Sequence, residues 1–243
     1  MVATNMSKGL AAFMAAPNNL PKALWKNTVY SGFDAVNTIL NLEGNGIAPL
    51  PPAKHAALQT FGEDLSLYQN EEIFATMAIT DRNEFEEIAT TLSGGRGLSM
   101  PKETLALSTL GTSTILGHPG QYQKLYRFTE DSIFDTDSLA AFHVNRREED
   151  QQEVDEFMQV LTGTADWFFQ IQGYSCLCSF PAHTLIYYHG LNPHGGYYHA
   201  GTRAVVLAQI IGPETWTMHY TQDANPIYEE LKAQQHAIPT AEK

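Results

Sequence analysis

Charge is what this chain has least of. Of its 243 residues, 17% are Asp, Glu, Lys or Arg, against roughly 25% in an ordinary soluble domain. The shortfall is in cations: Lys and Arg number 14, Asp and Glu 27, for a net charge of −13. That balance excludes a protein that grips a phosphate backbone over a broad basic face, though not a shell that encloses nucleic acid. Arg146 and Arg147 are followed at once by Glu148, Glu149 and Asp150, which reads as a solvated, internally paired helix start.

Cysteine is almost missing. Cys176 and Cys178, separated only by Leu177, make no disulfide framework, because neighbours this close rarely bridge. Reduced, buried thiols are the simpler reading, and they point to an intracellular compartment or a virion. No run approaches the roughly 18 apolar residues of a membrane span. Gly9 to Ala16, preceded by Lys8 and ended by Pro17, is only a weak signal-peptide candidate. Gly94-Gly95-Arg96-Gly97 lacks the Lys-Ser/Thr ending of a phosphate loop, and neither Gly-x-Ser-x-Gly nor Gly-x-Gly-x-x-Gly occurs.

What is present is concentrated between Trp167 and Pro213. Arg203 is the one charged side chain in that block, which also holds both cysteines and His183, His189, His194 and His199 among many aromatics. A segment so poor in charge is a buried core, a contact surface or the wall of a site. The rest of the chain reads as short helices with proline and glycine punctuation. Helices are expected over Leu20 to Val29, Phe33 to Leu42, 52–62, Glu71 to Ile79, Asn83 to Leu92 and Ser99 to Leu107. Glu148 to Leu161 carries Val154, Phe157, Met158 and Leu161 at helical spacing and is the strongest helix on this pattern. Its acids would form a solvated outer face. Strands are expected at Leu185 to His189, Tyr197 to His199 and Thr215 to Tyr220, and Asn225-Pro226 opens a last helix with a cap and a proline in the favoured order. Thr202 to Ile211 fits a buried strand or helix equally. The fold expected is mainly α with a small β component (α+β), with short helices in the N-terminal two-thirds and few strands within 180–220. It is one domain over 1–243, divisible into a helical part, 1–130, and a charge-poor part, 131–243.

Two functional readings follow. In the first, the chain is a self-assembling coat or shell subunit without a cofactor. It forms homo-oligomers through Trp167, Phe168, Phe169, Tyr187, Tyr188, Tyr197, Tyr198, Arg203 and Trp216, since interface cores are rich in aromatics and poor in Lys, Glu and Asp. In the second, the same block lines the pocket of a metal-dependent small-molecule enzyme that uses histidines of 183–219. Its ligands to zinc or non-haem iron would come from His194, His199, His183 and Cys176, because imidazole and thiolate suit these metals. The spacing argues against the second reading. Cys-x-Cys is a poor chelating pair, and His194-x4-His199 fits only a loose window. An iron facial triad needs His-x-Asp or Glu, but His199-Ala200-Gly201 and His143-Val144-Asn145 both lack the carboxylate. A cysteine nucleophile paired with His183 or His189 is disfavoured by the apolar neighbours Leu177, Phe180 and Pro181. The first reading is the preferred expectation.

Overall fold

The expected helix at Glu148 to Leu161 is not a helix. The computed structural model describes residues 6–50, 82–96, 123–128, 141–197, 204–210 and 216–237. Among them, 148–150 form a turn and Glu156–Ile171 a single long strand, β6. The helical spacing has a sheet explanation. Phe157 and Met158 are both fully buried although they point to opposite faces, because β6 is covered on both sides. A strand of that kind reads as a continuous apolar run and imitates a buried helix.

The described elements run α1 (Lys8–Ala15), β1 (Lys22–Trp25), β2 (Thr28–Ser31), α2 (Phe33–Leu40), β3 (Gly46–Pro49), α3 (Arg82–Leu92), β4 (Gln123–Phe128) and β5 (His143–Arg147). After β6 come β7 (Tyr174–Pro181), β8 (Thr184–Tyr188), β9 (His194–Tyr197), β10 (Ala204–Ile210), β11 (Trp216–Tyr220) and α4 (Pro226–Ala237). The chain is mostly β, which corrects the mainly α expectation. Leu20 to Val29, expected as a helix, is the β1–β2 hairpin. Its turn residues Lys26 and Asn27 have φ of 47° and 60°, the left-handed pair that closes a two-residue hairpin. The segments 52–62, 71–79 and 99–107 lie outside the described residues. Asn225 does cap α4, its Oδ1 accepting the Tyr228 N–H at 3.3 Å.

All pairing is antiparallel, and β6 belongs to two sheets. Its second half lies between β9 and β7 in the sheet β11-β5-β9-β6-β7-β1-β2, and its first half between β10 and β8 in a sheet completed by β4 and β3. The change of sheet falls at Gly163, whose φ of 73° few other residues adopt easily. The β6–β10 register slips just before it, between Val205, opposite Thr162, and Val206, opposite Val160. Before the bend Met158 and Val160 face inward, and after it Ala165, Trp167, Phe169 and Ile171 do, meeting Cys176, Cys178, Phe180, Ile186 and Tyr188 between the sheets. The outer face of the first sheet carries a second layer in which Leu24, Phe168 and Leu177 pack against Leu10 and Phe13 of α1 and Tyr228 and Leu231 of α4. Lys22 fastens α1 to this face by donating to the Phe13 and Ala16 carbonyls at 2.8 and 2.7 Å, both at the C-terminal end of the helix.

Candidate functional site

A row of side chains crosses the first sheet in register. Tyr220 of β11 pairs with His143 of β5, His143 with His194 of β9, His194 with Phe169 of β6, Phe169 with Cys176 of β7, and Cys176 with Trp25 of β1. Paired residues share a face, so the row runs from an exposed rim at Tyr220, 53% exposed, into the inter-sheet core. The two buried imidazoles lie side by side, ring centroids 4.7 Å apart. Tyr220 touches the His143 ring on one flank and Tyr188 of β8 the His194 ring on the other, at 5.6 and 4.5 Å.

Each imidazole is oriented from behind. His143 Nδ1 lies 3.1 Å from the Ala141 carbonyl, and His194 Nδ1 lies 3.0 Å from that of Asn192. A carbonyl only accepts, so in the neutral ring Nδ1 carries the proton and Nε2 keeps its lone pair. The Asn192 carbonyl is itself held firmly: the Asn192 side chain donates to the Gln170 carbonyl at 2.6 Å and accepts from Asn45 at 2.9 Å. His194 Nε2 is buried without a hydrogen-bond partner and stands 3.7 Å from Glu156 Oε2. Burial, reinforced by the neighbouring His143, lowers the His194 pKa to about 3, and burial lowers that of His143 as well. The His194–Glu156 contact is therefore not an ion pair at neutral pH. Glu156 extends the inward row of Met158 and Val160 on β6, is 6% exposed, and accepts a hydrogen bond from Asn145 Nδ2 at 3.0 Å.

The arrangement offers two imidazole nitrogens and a carboxyl group at one end of the inter-sheet space, the donor types that suit iron or zinc. Two donors about 2.1 Å from one ion stand roughly 3 to 3.5 Å apart, close to the His194–Glu156 separation. Among the described residues no group of three or more His, Cys, Asp and Glu is placed to hold a metal ion. His194 Nε2 and Glu156 Oε2 make a pair of donors, and an ion there would take its further ligands from solvent, a bound molecule or residues outside the described ones.

Of the ligands expected from sequence, only His194 lies here. His183 sits in the β7–β8 turn with φ of 66°, its carbonyl accepting from Leu50 and its amide donating to Val160. Cys176 shares the row, but Phe169 separates it from His194, and two strand spacings amount to about 10 Å. Its sulfur faces that of Cys178 at 3.7 Å, and burial pushes the Cys178 thiol well up. His199 lies outside the described residues. Of the interface candidates, Trp167, Phe168, Phe169, Tyr187 and Tyr188 are covered by the chain's own layers. Tyr197 and Trp216 fall at the ends of β9 and β11, and Tyr198 and Arg203 lie outside the described residues. The missing charge of the block is thus met largely by burial within the chain. His143, Asn145 and Glu156 were not expected in a site. His143 and Asn145 were set aside for want of a carboxylate in their own tripeptide, yet the carboxyl arrives from the next strand. Glu156 was placed on a solvated helix face.

No helix among the described residues is long and apolar enough to cross a membrane. No family model and no curated protein matches the sequence. Solved structures do resemble it. Acireductone dioxygenase from Bacillus anthracis, with a cadmium ion in its active centre, is 14% identical with a TM-score of 0.51, over 84% of this chain and 99% of that one. An N-substituted L-amino acid dioxygenase from Burkholderia ambifaria is 10% identical with a TM-score of 0.34, over 83% of this chain and 99% of that one. Hydroxypropylphosphonic acid epoxidase from S. wedmorenis is 15% identical with a TM-score of 0.28, over 67% and 99%. Scores as low as the last two do not indicate a shared fold. The first establishes likeness of fold alone, a cupin-like β fold in place of the mainly α one expected, and it lends the coat or capsid expectation no support. Between Trp167 and Gly196 the charge-poor block lies largely in the interior of that fold.

Proposed function

We propose that this chain is a metal-dependent enzyme acting on a small molecule, with a divalent ion, iron or zinc, held between His194 and Glu156 and with the His143 ring beside them. The observation that carries the reading is His194 Nε2, a buried lone pair with no hydrogen-bond partner beside a buried carboxyl oxygen. An unmatched buried acceptor is costly, and an ion between the two atoms would satisfy the nitrogen while meeting the carboxyl oxygen's charge. The carbonyls of Ala141 and Asn192 orient the rings as outer partners commonly do at metal-bound histidine. Tyr188 and Phe169 keep water from the inner side, and Tyr220 marks the exposed approach. The Bacillus anthracis protein of like fold holds its cadmium in an active centre, which is in keeping with an ion here. When bound, the ion would polarise a substrate oxygen or, as iron, supply a redox centre.

Elemental analysis of the purified chain tests this, followed by titration with Fe(II), Zn(II) and Co(II). About one ion per chain is expected, with strong loss in His194→Ala and Glu156→Gln variants that keep the β-type circular dichroism. A chain that takes up none of the three metals refutes the reading.

A further inference from the structure

We infer that Asn145 is a positioning residue for Glu156, setting the carboxyl oxygen that meets the ion; the inference rests on the metal reading above. Asn145 is 1% exposed, two residues beyond His143 on the same face of β5. The two ends of its amide have different fates. Nδ2 donates to Glu156 Oε2, the same oxygen that stands opposite His194 Nε2. That bond fixes the amide's orientation, since the reverse placement would set oxygen against oxygen. Oδ1 is then turned away from Glu156, buried and without a hydrogen-bond partner.

Buried amides generally have both ends met, as Asn45 and Asn192 do, each using both amide atoms. Asn41 leaves its Oδ1 without a partner as Asn145 does; what sets Asn145 apart is that its Nδ2 donates to the carboxyl oxygen that stands opposite His194. Asn145 uses one end on the acid and leaves the other as a buried acceptor. The group that completes it is an O–H or N–H donor: water on the ion, or a hydroxyl or amine of a bound small molecule. Nδ2 also leaves Oε2 only part of its accepting capacity, so the carboxyl reaches the ion from one fixed direction. This is the role of an outer hydrogen-bond partner to a ligating group.

Co(II), whose visible absorption reports its ligands, is the probe. Asn145→Leu keeps the side-chain volume and removes both polar ends, and Asn145→Ser restores a single donor. The leucine variant is expected to bind Co(II) 10- to 100-fold more weakly with an altered visible spectrum, and the serine variant to recover part of both. Thermal unfolding of the metal-free proteins separates a folding defect from a site defect, and serine, the smaller side chain, keeps the test open if leucine overpacks. Folded variants with the wild-type Co(II) affinity and spectrum would overturn the inference while leaving the metal reading intact. No Co(II) uptake by the wild type would overturn both.

Discussion

His143 and His194 are directly opposed residues of β5 and β9, with both side chains inward and rings 4.7 Å apart. Cross-strand neighbours on one face are the closest side-chain partners a sheet offers. Two residues far apart in sequence therefore become a fixed pair without any loop to position them.

The pair makes stability sensitive to acid. An unfolded histidine takes its proton near pH 6.5, whereas folded His194 does so only at about 3. Between those values the unfolded chain binds the extra proton. Stability is thus fully present above 6.5 and declines as pH falls towards 3. His143 is shifted in the same direction. Each histidine contributes up to about tenfold in the folding equilibrium per pH unit across its window. Urea unfolding of metal-stripped protein between about pH 6.5 and 5, above the usual carboxyl range, should show this slope, and His194→Gln should make it shallower. An unchanged slope would contradict the buried, neutral state of His194.

Metal affinity should follow the structure and not the sequence spacing. His143→Ala is expected to weaken Zn(II) binding by at least about tenfold, the scale of losing a supporting group at a metal site. His183→Asn, with a residue that tolerates the left-handed turn conformation, should leave it unchanged. Competition against a chromophoric chelator measures both. A loss confined to the His183 variant would move the site to the β7–β8 turn.

The two thiols should be inert in the folded protein. Cys176 and Cys178 are fully buried between the sheets, out of reach of a reagent in solution, and burial pushes the Cys178 thiol well up, so it supplies little thiolate. Ellman's reagent should label neither residue in native buffer and both in denaturant. Rapid native labelling would mean that the inter-sheet core opens easily.

Gly46 of β3 lies against the C-terminal end of α3. A Cβ at this position would lie 2.3 Å from the Leu92 carbonyl oxygen, a backbone atom that no rotamer change can move aside. Gly46→Ala should cost about 1 to 3 kcal/mol, read as a lower melting temperature. An unaltered melting temperature would show that the C-terminal end of α3 shifts freely against the strand.

Part of this was legible in the sequence, and the boundary has a physical cause. Trp216 to Tyr220 alternates large apolar with polar side chains in the sequence, the local mark of a strand, so β11 was readable. The Asn225 cap was readable because capping is local chemistry. Glu148 to Leu161 misled because both faces of β6 are covered, which erases the alternation that marks a strand. Glu156 misled for a related reason: an acid at the end of an apolar run has no local sign that tertiary structure will bury it. The depletion of charge around Trp167 was real, but it recorded a strand shared by two sheets, whose side chains the chain itself covers. His194 was seen as a ligand candidate, whereas its partners come from strands that only the pairing register brings together.

The bend of β6 at Gly163 has one more consequence. Glu156 lies before the bend and Phe169, the neighbour of His194, after it, so one uninterrupted strand carries both sides of the site. Side chains on a strand change face with every residue. A single-residue insertion or deletion between Glu156 and the bend would turn the carboxyl out of the interior even if every residue named above were kept. Descendants of this chain can lengthen their loops freely, but the count of residues along β6 is inherited with the site.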